Sequence, residues 1–367
     1  MKYQTPCLAT PLFAALLCAA ASVQAAEGFQ VRYNLAGSLG GEMFAPPDQA
    51  GLGVGVAATR VSIDRITGGD GRAIRMTTPG GTVTVPGLPS ALNPSYGANQ
   101  VEMEATGTFN IYNLAVGYVS TERFGGGRLA WLLNVPYGVK DQRFSAKSAT
   151  APTLNWPNPS VPSASTQGAV QQQFNANYAA GVNSAAAAEV GRVAGLGDVE
   201  VQGGWLYSTE QWRVLAGGSI AMPTGRYRSA AGPDIGFGNF YTFRPAVQVA
   251  WLPRADLSLA GKVTMGINTR NQDNQLRSGN WVGLETALAY MTPIGPVGLH
   301  SVHVQQVQDD SGNPYGDARF RSNNVGLFFT TKLPVADAVV TLQTMKTTDS
   351  RYAKHGTFQQ IRVIKLF

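Results

Sequence analysis

The chain has only two cysteines, Cys7 and Cys18, and both fall within the first 25 residues. Those residues, 1–25, read as an export signal. Lys2 supplies the positive end, Leu8 to Ala21 the apolar stretch, and Val23-Gln24-Ala25 the small-residue cleavage pattern. Cys18 follows Leu17, where a lipoprotein signal carries a small residue. After cleavage no cysteine is expected to remain, so disulfides are excluded as the staple of an exported fold. Long hydrophobic runs are missing too. Beyond the signal nothing approaches the roughly 20 apolar residues of a spanning helix, which excludes helical spans. Charge is scarce, at 14% of residues, against about 25% in soluble domains. The net charge of +6 is spread along the chain, without the basic cluster that nucleic acid needs, so no nucleic-acid partner is expected. Three histidines and no remaining cysteine exclude the common zinc spacings, and no metal or other cofactor is expected. Gly125-Gly126-Gly127 and similar stretches lie at turns, not between strand and helix, which removes a phosphate-loop reading.

What the chain does have is alternation. From Val101 to Ile111 the residues Val101, Met103, Ala105, Gly107, Phe109 and Ile111 share one face, and Glu102, Glu104, Thr106, Thr108 and Asn110 share the other. A period of two held this long fits a strand and no helix. The pattern recurs through Leu129–Val139, Val199–Tyr207, Trp212–Met222, Tyr241–Trp251, Leu257–Ile267 and Val282–Tyr290. It continues near Val297–Val307, Phe320–Thr331, Ala338–Lys346 and Thr357–Phe367. Connections alternate between short links, such as Ser208–Gln211 and Pro253–Asp256, and longer ones, such as Gly225–Phe240 and Thr347–Gly356. Short turns on one side and longer loops on the other are the transmembrane-barrel arrangement. The expectation is an all-β fold, a transmembrane antiparallel β-barrel over 53–367 in the cell outer membrane. Twelve strands are expected with Gly53–Ile66 as the first, or fourteen if Ile74–Val85 enters the wall. Phe367 ends the last alternating strand and resembles the signal read by barrel-assembly machinery, an expected partner. Outer-membrane lipid and lipopolysaccharide are expected around the wall.

Two segments break the pattern. Residues 26–52 are rich in Gly and Pro and are expected in the periplasm or folded into the lumen as a plug, with Phe44, Pro46 and Pro47 forming an apolar constriction. The loop 141–196 is either a mobile surface loop or a lid, and Gln171–Val193 favours one or two short helices. If the apolar faces meet lipid, Glu102, Glu104, Asp198, Glu200, Arg244, Lys262, Glu285, His303 and Gln305 line the lumen. There they either set selectivity or pair with one another. Ser301 and His303 lie two apart on one strand face, the start of an acyl-transfer pair, with no third group identifiable and the face read as inward. No catalytic residues are assigned, and an enzyme is not the expectation.

Several motifs occur in a telling order. Gly195-Leu196-Gly197-Asp198 opens a strand, and Met222-Pro223-Thr224-Gly225-Arg226-Tyr227 closes the next. Gly236-Phe237-Gly238-Asn239, then Leu276-Arg277-Ser278-Gly279, then Gln305 before Asp309-Asp310 follow. This order resembles the outer-membrane family named for the meta-pathway of phenol degradation, distantly similar to fatty-acid and aromatic-hydrocarbon channels. The resemblance implies a barrel that admits small hydrophobic or aromatic solutes. A structural or surface-interaction barrel with a filled lumen is the alternative, and an outer-membrane lipid hydrolase a further one.

Overall fold

Alternating sequence becomes paired backbone along most of the chain. The computed structural model describes residues 29–44, 49–228, 232–312 and 318–367. The expected signal and Pro46 and Pro47 lie outside these described residues. The strands are β1 (Gly51–Ile66), β2 (Arg75–Thr78), β3 (Gly81–Thr82), β4 (Ser95–Tyr96), β5 (Asn99–Phe124) and β6 (Gly127–Ala146). After them come β7 (Gly191–Leu196), β8 (Glu200–Ser208), β9 (Trp212–Ala221), β10 (Thr242–Arg254) and β11 (Leu257–Asn268). The last five are β12 (Trp281–Thr292), β13 (Gly295–Gln306), β14 (Arg321–Leu333), β15 (Ala338–Arg351) and β16 (Lys354–Leu366).

Neighbouring strands pair antiparallel from β8 through β16, β16 pairs with β1, β1 with β5, β5 with β6, and β6 with β8. That circuit closes on itself, so no edge is left to hydrate or to aggregate. The ring has twelve strands; β2 pairs with the start of β5, and β7 continues the line of β8 along β6. Ile74–Val85 therefore does not enter the wall. Its short pieces β2 and β3 pair only with the start of β5 and with β4.

The outward side of the ring is apolar. Leu114, Trp131, Val247, Trp251, Leu288, Leu327 and Leu342 are all exposed, the surface that hydrocarbon demands. Single polar links such as Pro253–Asp256 shorten to tight turns on one side of the ring. The expected long link at Thr347–Gly356 is instead a two-residue turn, Tyr352–Ala353, because β15 runs to Arg351 and β16 begins at Lys354. Thr347-Thr348-Asp349-Ser350 reads as loop from composition, yet its backbone stays in the ladder with β14.

The contacts divide the described chain into two units, the barrel unit and a smaller unit of residues 73–104 and 143–190. In the smaller unit a single helix, Ala164–Ala188, replaces the short helices expected at Gln171–Val193. Its first turn is capped by the Ser163 side chain, which accepts from the Thr166 amide. The Ala- and Gln-rich run behind that cap has the propensity to continue. Phe174 packs on Tyr96 with ring centroids 4.8 Å apart, and the Tyr178 hydroxyl bonds Thr78 Oγ1 at 2.8 Å.

Candidate functional site

Residues 29–44 touch strands over half of the barrel ring: β10, β11, β12, β14, β15 and β16. A sixteen-residue segment reaches strands on so many sides of a closed ring only from within it. The segment occupies the interior, and its contacts define the candidate site.

Its first anchor is Arg32. The guanidinium meets Asp198 at 2.8 Å, with both side chains nearly sealed from solvent, at 3% and 6% exposure. It also donates to Thr242 Oγ1 at 2.9 Å and to the Gly238 carbonyl at 3.0 Å, and lies 4.1 Å over the Phe240 ring. Asp198 sits in the three-residue break between β7 and β8, where Gly197 bonds the Pro136 carbonyl of β6. Its carboxylate also accepts the amides of Gly225 and Phe237, at 3.0 and 3.1 Å. Thr224 ties the arrangement together by accepting from the Val199 amide at 2.8 Å. A Cβ on Gly225 would stand 2.7 Å from the Asp198 carboxylate and 2.8 Å from the Gly236 backbone, so no other residue fits there. The Gly-Leu-Gly-Asp, Pro-Thr-Gly and Gly-Phe-Gly-Asn motifs thus converge on one socket, and Arg32 fills it.

The second anchor is Glu285 of β12, whose residue is 2% exposed. It accepts from the Tyr33 hydroxyl at 2.7 Å and from the Ser38 amide at 2.6 Å, and Lys262 of β11 lies 3.4 Å away. Lys262 also bonds Ser38 Oγ at 2.9 Å. A carboxylate this deep is tolerable only with several donors and a counter-charge around it. Arg244 of β10 pairs with Glu200 of β8 and donates to the Arg32 carbonyl at 2.6 Å.

Beyond Ser38 the contacts change character. Leu39 and Met43 form an apolar cluster with Ala250, Ala260, Ala287, Ala289 and Phe328, and Phe44 packs against it. Gly41 donates to Thr330 Oγ1 at 3.0 Å, and a Cβ there would fall 2.4 Å from the Thr330 side chain. Glu42 pairs with Arg362 of β16 and accepts from Thr341 at 3.2 Å.

Of the residues singled out from sequence, Asp198, Glu200, Arg244, Lys262 and Glu285 meet around residues 32–38. The others stand elsewhere. Glu102 and Glu104 belong to the smaller unit, where Glu102 carries an exposed ion pair with Lys147 at 2.8 Å and Glu104 is exposed. On β5 the buried residues are Val101, Met103 and Ala105, and the apolar outward face is Tyr112, Leu114, Val116 and Tyr118. The assignment of Val101 to Phe109 as the lipid face, with the glutamates inward, is therefore inverted. On β13 the inward residues are His300, Val302, Val304 and Gln306, all buried. Their neighbours Ser301, His303 and Gln305 point outward, so His303 and Gln305 are not lumen residues. Ser301 bonds Thr286 of β12 at 2.8 Å, while His303 bonds Asn323 of β14. The two are drawn to opposite neighbours. Sequence reasoning missed Arg32, Tyr33, Ser38, Glu42 and Arg362. The signal available was a pair of charges, Arg32 and Glu42, alone among the otherwise uncharged residues 28–47.

Comparison with a solved structure agrees on the architecture. An outer membrane channel from Pseudomonas putida F1 superposes with a TM-score of 0.58 at 12% identity, over 92% of this chain and 100% of that one. Weaker likenesses include the CymD monoaromatic hydrocarbon channel, at TM-score 0.37 and 11% identity over 95% and 99% of the two chains. A Pseudomonas aeruginosa FadL homologue gives TM-score 0.31 and 11% identity over 92% and 94%. No curated protein matches the sequence. The twelve-strand ring with its apolar exterior is an outer-membrane barrel. A family model described as "Putative MetA-pathway of phenol degradation" matches residues 75–361, and the chain belongs to that family.

Proposed function

We propose that this barrel passes small hydrophobic or aromatic compounds across the outer membrane, with residues 29–44 as a plug that shifts to admit them. The observation that carries the reading is the apolar stretch of the inner wall. Four alanines and Phe328 surround Leu39 and Met43. Displacing those two side chains would leave a passage lined by methyl groups, a surface that favours apolar solutes over ions. The family's name, for phenol degradation, supports an aromatic substrate class.

A tether tests it. Met43 Sδ lies 3.5 Å from Ser258 Oγ, so the thiols of a Met43→Cys/Ser258→Cys variant come within reach of a short bis-methanethiosulfonate crosslinker. Toluene and phenol uptake into liposomes should fall on crosslinking and recover on reduction, and deletion of 29–44 should raise it. Uptake indifferent to both manipulations would favour a barrel whose filled interior is structural, a reading that the deep pairing of Arg32 with Asp198 and of Glu285 with Lys262 supports.

A further inference from the structure

The outward face of β1, β15 and β16 changes chemistry partway up. On β15 it runs Leu342, Thr344, Lys346; on β16 Ile361, Gln359, Thr357; on β1 Val56, Ala58, Arg60. Register makes the polar members neighbours, with Arg60 opposite Gln359, Gln359 opposite Thr344, and Thr357 opposite Lys346. Arg60 is nine residues beyond Gly51, the first residue of β1. At the usual strand rise and tilt that is about 23 Å, close to the ~25 Å height of a barrel's apolar band. The patch therefore lies at the outer border of the hydrocarbon, at the depth of lipid headgroups.

Arg60 and Lys346 are exposed, and among the described residues neither has an ion-pair partner. The carboxylates nearest along their own strands are engaged. Asp64 is bonded by His355 and Arg65, and Asp349 by Arg321 and Asn323. Each cation borders an open apolar groove on the wall. Arg60 and Gln359 border one of about 900 Å³, lined by Tyr112, Leu299, Leu342 and Ile361. Lys346 borders one of about 1110 Å³, lined by Leu259, Leu299, Val325 and Leu327, and Thr344 belongs to both. Two strands and two residues separate the cations, roughly 12 Å along a sheet.

We propose that this face seats a phosphorylated, multiply acylated lipid of the outer leaflet, with phosphates on Arg60 and Lys346 and acyl chains in the two grooves. The occupant is an acidic amphiphile because an unpaired cation above a greasy groove complements both of its parts. The hydroxyls of Thr344 and Thr357 and the Gln359 amide add donors between the two charges. This is lipopolysaccharide chemistry given an address, and it is independent of what crosses the lumen.

The test uses the refolded full barrel in detergent and bis-phosphorylated hexa-acyl lipid A as the probe, with retention read by native mass spectrometry. Each of Arg60→Ala and Lys346→Ala should weaken binding about fivefold, and the pair roughly twenty-five-fold. Arg60→Lys should retain most of the affinity, and Lys332→Ala, near the opposite end of the wall on β14, all of it. Dephosphorylated lipid A should bind wild type as weakly as the double variant does. The proposal fails if the double variant, shown folded by its heat-modifiable mobility, holds lipid A as wild type does. It also fails if dephosphorylated lipid A binds equally well, or if inorganic phosphate alone displaces the lipid.

Discussion

The two halves of the segment inside the barrel are held by different forces. Residues 32–38 are fixed by buried charge: Arg32 on Asp198, and Tyr33 and Ser38 on Glu285 with Lys262 beside it. Residues 39–44 are held by apolar packing of Leu39 and Met43 on alanines, with a more accessible ion pair between Glu42 and Arg362, at 31% and 16% exposure. Removing one member of a buried pair strands its partner without water, whereas removing an apolar side chain leaves a gap that neighbours partly close. The charged half is thus an anchor, and the apolar half is the part that moves at lower cost. For a plug of this kind, opening would begin at 39–44 while 32–38 stays docked.

The largest expected effect comes from breaking the anchor at Glu285. Glu285→Ala leaves Lys262, the Tyr33 hydroxyl and the Ser38 amide without their acceptor, at a cost of about 3–5 kcal/mol in docking of the segment. Hydrogen exchange should show residues 32–39 losing protection while the barrel strands keep theirs. Protection that survives the substitution would mean that the carboxylate is not what holds this half. Asp198→Ala should cost somewhat less, about 3 kcal/mol, because Arg32 keeps the Gly238 carbonyl, Thr242 and the Phe240 ring. Combining it with Arg32→Ala should restore part of the loss, since no buried charge is then stranded, and a purely additive double-mutant cycle would contradict the pairing. Leu39→Ala is smaller again, about 2 kcal/mol, and should be confined to exchange at 39–44. Loss of protection at Arg32 in that variant would show that the two halves undock together.

Much of the wall is legible in the sequence, because period-two alternation is a local property of the chain. The errors share one cause. On β5 the apolar residues change face between Ile111 and Tyr112, and on β13 they change between Leu299 and Val302. Within the hydrocarbon band apolar residues must point out, but past it the exterior meets water and the same residue types turn inward. Val302 and Val304, at 1% and 0% exposure, are inward residues of this second kind. Reading one phase along a whole strand placed Ser301, His303 and Gln305 on the wrong side. Thr347–Arg351 reads as a loop on the same ground, since a strand beyond the lipid has no need of greasy residues. The site itself was half legible. Asp198, Lys262 and Glu285 stand out as charges in a poorly charged wall, but their partners Arg32, Tyr33 and Ser38 lie more than 150 residues away and no local pattern announces them.

The smallest effect sharpens the comparison by repeating the same chemistry in water. Asp309 and Arg319, in the link between β13 and β14, are 2.6 Å apart with half-exposed side chains. The Arg319 hydrogen bond holds the Asp309 carboxyl below its ordinary range, so whatever the pair contributes is present above the usual carboxylate pKa. It fades only as the pH falls through the lowered value. Solvent screens both charges, and fixing two long side chains offsets what attraction remains. Arg319→Ala should therefore leave the thermal midpoint of the barrel unmoved between pH 5 and 8, where Arg32→Ala lowers protection of the interior segment at every pH. A loss of exchange protection around Asp309 in Arg319→Ala as large as that of the interior segment in Arg32→Ala would mean that burial is not what makes the inner pairs strong.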